Sequence, residues 1–437
     1  MLYFRHTLAE RQLCGFLCIH RISKLNNYNL NLGETCVNPK KHNYSLMTLV
    51  LFWCGLVILM SMYITIPLTS VFVQSFHISS TKAAWIGSSF SLSYALGCLL
   101  YGPFSDRYGR KIFLVASMFM LAIVTIVITL VDGFYGLIAL RGLQGLVAAA
   151  FVPVSLVYSG EMFPSHKKLT AIGFISSGLL MAGIAGQVFS GFINEYLGWH
   201  AIFWILGIVY VLTTILVIRY LPKDEILRPK ESIFLKYKQM TKLLTNFRLL
   251  LVFSITFMLL LTLVGMYTIL GDYLSSDSFG LTNQEIQYVR IVGIVGMLFS
   301  PFVGKISKKV GAAIVLRFGL LIATASLFAL SVIHSLPLIV FLSVVIVAGI
   351  SLASPVLISF ISQQAGNSGG SAISFNAFIL FLGASTGPIL ASNLLKTEQY
   401  FFSFRVLGFI FLIGLVSSCF LRSKVTSTNE FAERGKY

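Results

Sequence analysis

In the stretch YGPFSDRYGRK, Tyr101 to Lys111, one acid and three bases (Asp106, Arg107, Arg110 and Lys111) stand within about six residues, with Gly102 ahead of them and Gly109 among them. A cluster of that kind can do ion-pair chemistry, gripping carboxylates or free helix ends and releasing them. Two further side chains point toward a solute or a proton. Arg141 lies well inside an apolar stretch, where a charge is costly and is by default a functional candidate. Gln144 follows three residues later, so both project from one helix face. If that face lines a cavity, Arg141 can bind an anionic group or alter the proton affinity of its neighbours. The alternative is a hydrogen-bond hub joining the fourth and first spans, and the two roles are compatible. Proton coupling needs a titratable group on the pathway, yet no Asp or Glu falls near the middle of an apolar run. Asp132, Glu195 and Asp272 lie toward outer ends and Glu161 at an inner end. Asp272 is the candidate proton site; facilitated diffusion would need none.

Positioning these residues falls to apolar helices. Only 11% of the 437 residues are charged and 57% are hydrophobic, and the mean hydropathy is +0.87, which excludes an ordinary soluble domain with roughly 25% charge. Apolar runs of about twenty residues, each able to cross a ~30 Å hydrocarbon layer, recur at Thr48–Val73, Lys82–Phe104, Ile112–Val131, Phe134–Gly160, Leu169–Ile193, Trp199–Leu221, Leu249–Asp272, Glu285–Ile306, Ala312–Ile333, Leu336–Ser362, Gly370–Leu395 and Tyr400–Leu421. These predict an all-α integral membrane protein with twelve transmembrane helices.

The net charge of +17 is distributed by topology and is not gathered into a nucleic-acid face. Lys and Arg concentrate before the first span, in the loops after spans 2, 4, 6 and 8, and after span 12. The opposite loops carry Asp132, Glu195, Asp277 and Glu398. The positive-inside rule then places both termini in the cytoplasm. Residues 1–47 are polar and Asn-rich, without a cleavable signal pattern, and receive no fold; Met47, just ahead of the strong apolar run, is an alternative start. The hydrophilic interruption at 222–248 is a basic linker dividing two bundles, 48–221 and 249–421, and 422–437 is a cytoplasmic tail. A short amphipathic helix is expected in the linker around SIFLKYKQMTKLL, resting on an anionic inner leaflet. The six cysteines lie in presumed cytoplasmic segments or inside spans, which argues against a disulfide framework. The seven histidines are scattered singly and form no metal pattern.

YGPFSDRYGR and VGKISKKVGA align without gaps at an offset of 202 residues, pairing Gly102 with Gly304, Ser105 with Ser307, Arg107 with Lys309 and Gly109 with Gly311. A turn repeated at the same place in each set of six spans is the signature of a transporter built from two related halves. Lys308 stands where Asp106 stands in the first copy.

At these residues the sequence resembles the major facilitator superfamily, whose turn between helices 2 and 3 reads G-x-x-x-D-R-x-G-R-K/R. Gly102, Asp106, Arg107, Gly109, Arg110 and Lys111 fill it. A second family motif, R-x-x-Q-G in helix 4, is matched by Arg141, Gln144 and Gly145, and that helix ends in GEMFP with Glu161. The resemblance spans residues 48–421. It implies two pseudo-symmetric six-helix bundles, the major facilitator fold, with helices 1, 7 and 10 lining a central cavity. On those helices Tyr63, Tyr267, Asp272, Ser351 and Ser354 are the candidate substrate or coupling residues. Twelve-helix drug antiporters carry G-P-x-x-G-G in helix 5; here, in GQVFSG, Gln187 holds the proline position. The pattern is similar to bacterial efflux carriers of the arabinose-exporter type, which implies a bacterial plasma membrane.

The charged turn is read as a conformational latch of Gly102, Asp106, Arg107, Gly109, Arg110, Lys111 and Glu161. The glycines allow close approach and a tight turn. Asp106 is expected at the amino-terminal end of helix 11, Asn367 to Ser371, where backbone N–H groups are free, and Glu161 is expected to pair with Arg110. The competing reading is a plain topology anchor. Arg290 and Arg405 are weaker candidates for contact with a solute, since each falls about five residues into its helix at the outer end, a depth from which Arg can snorkel to the headgroups.

No H-E-x-x-H or G-x-x-x-x-G-K-[ST] is present, so neither zinc hydrolysis nor ATP-driven pumping is expected of this chain. Gly-rich helices 5, 8 and 11 suit rocking bundles better than a fixed channel, and a receptor would carry a larger soluble domain. The reading is a monomeric secondary transporter in contact with membrane lipid, without cofactor, metal or nucleic acid, exporting a small amphipathic or sugar-like solute against protons. The alternative is an importer or facilitator of a sugar or organic acid.

Overall fold

The computed structural model describes residues 43–224, 243–366, 369–397 and 399–421. Among them are twelve helices long and apolar enough to cross a bilayer. In chain order these are α1 Tyr44–Tyr63, α2 Ser80–Tyr108, α3 Arg110–Ile128, α4 Phe134–Met162, α5 Ser165–Leu197, α6 Trp199–Tyr220, α7 Phe247–Ser275, α8 Gln284–Val310, α9 Ala312–Leu330, α10 Leu336–Gln364, α11 Gly369–Leu395 and α12 Tyr400–Cys419. Exposed apolar side chains such as Leu92, Trp204, Ile215, Phe341 and Ile413 form outer surface that only a hydrocarbon solvent suits.

Local chemistry sets the ends. Asn43 accepts from the Leu46 amide to cap α1, Ser79 from Lys82 to cap α2, and Asn246 from Arg248 and Leu249 to cap α7. The first span is shorter than expected. Pro67 lacks an N–H and disfavours helix at Ile66, so α1 stops at Tyr63 and a separate short helix, Thr69–Phe76, follows. At the other end, α1 already begins at Tyr44, inside the 1–47 segment that was given no fold.

The repeat seen in the sequence is a repeat in space. Gly109 (φ 105°, ψ 144°) and Gly311 (φ 92°, ψ 142°) make the same turn, in a conformation open to glycine and strained for other residues. The helices that follow, α3 and α9, both run 19 residues. Helix α1 packs on α5 as α7 packs on α11, α3 on α6 as α9 on α12, and α2 on α4 as α8 on α10. Small residues allow the closest of these contacts: a Cβ on Gly186 would lie 2.8 Å from the Met60 carbonyl of α1, and one on Gly387 2.6 Å from the Leu261 carbonyl of α7. Two six-helix bundles result, joined along the seams α5/α8 and α2/α11.

Proline breaks two spans. In α4 the N–H missing at Pro153 frees the Ala149 carbonyl, and the Cys98 thiol of α2 approaches it at 3.9 Å. Span 8 is not one rod as expected. It is interrupted at Gly293 and again by a 3₁₀ turn at Ser300–Phe302 that contains Pro301. The carbonyl that Pro301 leaves without its helical donor belongs to Met297, and the Ser177 hydroxyl of α5 donates to it at 3.0 Å from across the seam.

Candidate substrate cavity and charged turn

Three cavities run in series between the bundles. The innermost, about 70 Å³, is walled by residues of α1, α4, α5, α7, α10 and α11 and is almost wholly apolar. Its polar groups are few: Tyr63, Ser176, Thr256, Ser354 and Asn376. The side-chain oxygens Ser176 Oγ, Thr256 Oγ1 and Asn376 Oδ1 are buried without a hydrogen-bond partner. Tyr63, Leu180, Leu263 and Val264 also border a second cavity of about 230 Å³, which adds Gln187, Tyr267, Thr268 and Arg290. Ile66 links this to an outer cavity of about 680 Å³ edged by Gln74, Gln284 and Gln287.

The series leads away from the face that carries the Tyr101–Lys111 turn. On the turn face α5 and α8 close tightly. A Cβ on Gly173 would come within 3.1 Å of Pro301 Cα, and one on Gly304 within 2.8 Å of the Thr170 amide nitrogen. The Ser177–Met297 bond lies on the same seam.

Arg290 turns inward. Its Nη1 donates to Gln187 Oε1 of α5 at 3.2 Å and its Nη2 to the Tyr267 carbonyl of α7 at 3.4 Å, while Nε is buried without an acceptor. Of the two options the sequence leaves for Arg290, a weak solute candidate or a snorkelling side chain, its position on the second cavity fits the first. Depth along a helix says how far an Arg can reach, but an acceptor on α5 decides which way it goes. Gln187, the residue in place of the antiporter proline, is that acceptor.

Arg141 is fully buried and lines none of the three cavities. Its Nη2 donates to the Ser61 carbonyl of α1 at 2.8 Å, Nε to the Ile86 carbonyl of α2 at 3.3 Å, and Nη1 to Gln144 Oε1 at 2.6 Å. Gln144 passes the chain on to Thr125 of α3 at 2.7 Å. The Ser61 hydroxyl meets Tyr210 OH of α6 at 2.6 Å, and Tyr210 donates to the Val57 carbonyl at 2.9 Å. The rings of Phe90 and Phe203 flank the guanidinium at 4.5 and 5.9 Å. Of the two readings open from the sequence, this arrangement has the geometry of the hub.

At the turn, Arg110 forks onto Glu161 at 2.9 and 3.3 Å and onto Ser105 Oγ at 2.6 Å. Asp224, at the start of the linker, accepts from the Arg110 and Lys111 amides at 2.9 and 3.2 Å and so caps α3. Lys111 Nζ reaches the Ile218 carbonyl of α6 at 3.0 Å. The Arg110–Glu161 pair expected from the sequence is formed, but these contacts lie within the first bundle and its linker and do not cross to the second. Arg107 is exposed beside Tyr108. The side chains of Gly102 and Asp106, and residues Asn367 and Ser368, fall outside the described residues, and with them the contact expected between Asp106 and helix 11. Glu161→Gln is expected to lower stability by about 1–2 kcal/mol through loss of a charge-assisted fork, read as a lower unfolding midpoint; an unchanged midpoint would make the pair ornamental.

The sequence profile of the Major Facilitator Superfamily matches residues 51–388 and, in a second alignment, 276–436. The chain belongs to this family. It is 26% identical over 349 residues to an uncharacterized transporter of Buchnera aphidicola subsp. Schizaphis graminum, covering 80% of this chain and 84% of that one. It is 22% identical over 365 residues to the Multidrug resistance protein MdtG of Salmonella typhimurium, covering 81% and 90%. The crystal structure of the human organic anion transporter MFSD10 (TETRAN) superposes with a TM-score of 0.71 at 15% identity, covering 86% of this chain and 99% of that one, a likeness of fold.

As a multi-pass major facilitator transporter, the chain does not bring all its sequence candidates to the cavities. Tyr63, Tyr267 and Ser354 line them. Ser351 is buried in α10 without a hydrogen-bond partner and lies off their walls. Asp272 is exposed at the end of α7, where Tyr400 of α12 donates to it at 3.0 Å. Asn376, Ser176 and Thr256, which also line the inner cavity, are absent from the sequence candidates, because hydroxyls and amides recur along every span and only packing shows which of them face a cavity. Asn376, two turns inside span 11 among apolar residues, is the available signal.

Proposed function

We propose that this transporter is a secondary active carrier that moves small amphipathic organic solutes outward across the plasma membrane by alternating access, coupled to protons. The observation that carries the reading is the apolar cavity enclosed between the two bundles, sealed toward the turn face and continued by wider cavities toward the opposite face. Taken together, the inner and second cavities, about 70 and 230 Å³ and both largely apolar, suit a solute with an apolar body and few polar groups. The positive-inside rule supports a cytoplasmic turn face, which makes this an outward-directed state. Likeness to a protein named for multidrug resistance supports export. The proton site we assign is Asp272, on cavity-walling α7 at the open face, with Tyr400 holding its carboxylate. The charged turn is assigned the role of a latch that holds the two bundles together on the cytoplasmic face while the cavity opens outward, through Asp106 at the amino-terminal end of α11, with the Arg110–Glu161 pair fixing the turn from which Asp106 reaches.

The test is solute-driven proton movement in proteoliposomes holding a trapped pH dye, over amphipathic drugs, sugars and organic acids. The expected result is dye response to an amphipathic solute with the parent and none with Asp272→Asn. Solute flux without proton movement under any imposed gradient would make the chain a facilitator, and coupling that survives Asp272→Asn would remove that residue from the pathway.

A further inference from the structure

Within the cavity series the polar groups are not evenly spread. The inner chamber offers hydroxyls and an amide, whereas the second cavity holds a full positive charge, Arg290. No described carboxylate pairs with it. The nearest acid in sequence, Glu285, is engaged by the Thr282 amide and hydroxyl, both at 2.8 Å, in the capping box that starts α8. What holds Arg290 is neutral: the Gln187 side-chain oxygen and the Tyr267 carbonyl. Gln187 is itself oriented, because its Nε2 donates to the Gly183 carbonyl at 2.8 Å. Space is left for the guanidinium by Gly271, where a Cβ would stand 3.0 Å from Nη2. Two donors remain buried and unused, Arg290 Nε–H and Tyr267 O–H.

A half-buried cation with idle donors, fixed by neutral acceptors beside an apolar chamber, is the complement of a ligand with one anionic group and an apolar body. Guanidinium recognises planar carboxylates through paired N–H donors, and a buried donor left idle costs free energy that a bound anion recovers. We infer that Arg290, with Gln187 and Tyr267, forms an anion subsite, and that the solutes of this carrier are amphipathic organic monoanions whose carboxylate sits on Arg290 and whose apolar part lies in the second cavity against Leu180, Leu263 and Val264, the wall it shares with the inner chamber. This rests on the transporter reading above and narrows its substrate class. Arg290 then selects by charge and the apolar wall of the second cavity by shape.

The test uses the full chain in nanodiscs of neutral phosphatidylcholine, titrated calorimetrically with 2-naphthoate, 2-naphthamide and 2-naphthylmethylamine. Naphthoate is expected to bind about ten- to a hundredfold more tightly than the amide, and the amine to bind more weakly than either. Arg290→Gln should erase the preference for naphthoate over the amide, and amide binding that is still detectable reports an intact cavity. Arg290→Lys should retain part of the preference, charge without fork, and Gln187→Met should reduce it about tenfold by releasing the side chain that aims Arg290. The subsite is rejected if naphthoate fails to bind at millimolar concentration, if the amide binds as tightly, or if Arg290→Gln leaves naphthoate affinity unchanged. An Arg290-dependent preference in nanodiscs without uptake of any of the three probes in proteoliposomes would uphold the subsite and refute transport. Uptake of neutral or cationic solutes that excludes naphthoate would uphold transport and refute the subsite.

Discussion

Arg141→Met is expected to cost about 3 kcal/mol of stability while leaving solute affinity at the cavities unchanged. Methionine fills the aliphatic volume but donates nothing. Ser61 lies in the last turn of α1, where carbonyls lack helical donors, and the guanidinium both satisfies its oxygen and sits at the negative end of the helix dipole. Its removal also orphans Gln144 Oε1 in a site with no water access, and each buried polar atom left unpaired costs roughly 1–3 kcal/mol. Thermal unfolding of the purified chain beside a binding titration separates the outcomes. A lowered midpoint with unchanged affinity supports the hub. Weaker binding at an unchanged midpoint would move Arg141 into the cavity.

The second large effect is expected at the α5/α8 seam. Gly304→Val would place methyl groups where the Thr170 backbone already stands, and Gly173→Val would do the same against Pro301. Overpacking of this kind costs about 1–3 kcal/mol, and here the cost falls only on the state in which the seam is closed. The population should shift toward opening at the turn face by roughly five- to 150-fold, with transport falling at least about tenfold. A cysteine placed at Ser354, on the inner cavity wall, should then react faster with an impermeant thiol reagent added from the turn face and slower from the opposite face. Unchanged labelling from both faces would show that this seam is not a gate.

The twelve spans were readable because length and hydropathy are properties of the segment itself, and the repeat was readable because Gly109 and Gly311 need a conformation few residues accept. The Arg110–Glu161 pair followed from a motif. Pro67 marks the break in the sequence itself, but apolar residues on both sides of it make the run to Val73 look like one span. What could not be read were contacts between segments distant in the chain. The direction of Arg290 depends on Gln187, more than a hundred residues away on another helix. Asp272 shares its helix with Tyr267, yet the one faces Tyr400 at the rim and the other the cavity. Periodicity places both on α7 and is silent about which neighbour each will meet.

The Arg141 network has a consequence for biosynthesis. Every partner it ties together, from Val57 on α1 to Tyr210 on α6, precedes the linker. Its hydrogen bonds can therefore close as soon as α6 has entered the bilayer, while the second bundle is still being synthesised. Amino-terminal units that complete their own contacts assemble first as a chain is made. The first bundle thus has the means to become a finished template, with the faces of α2 and α5 awaiting α11 and α8.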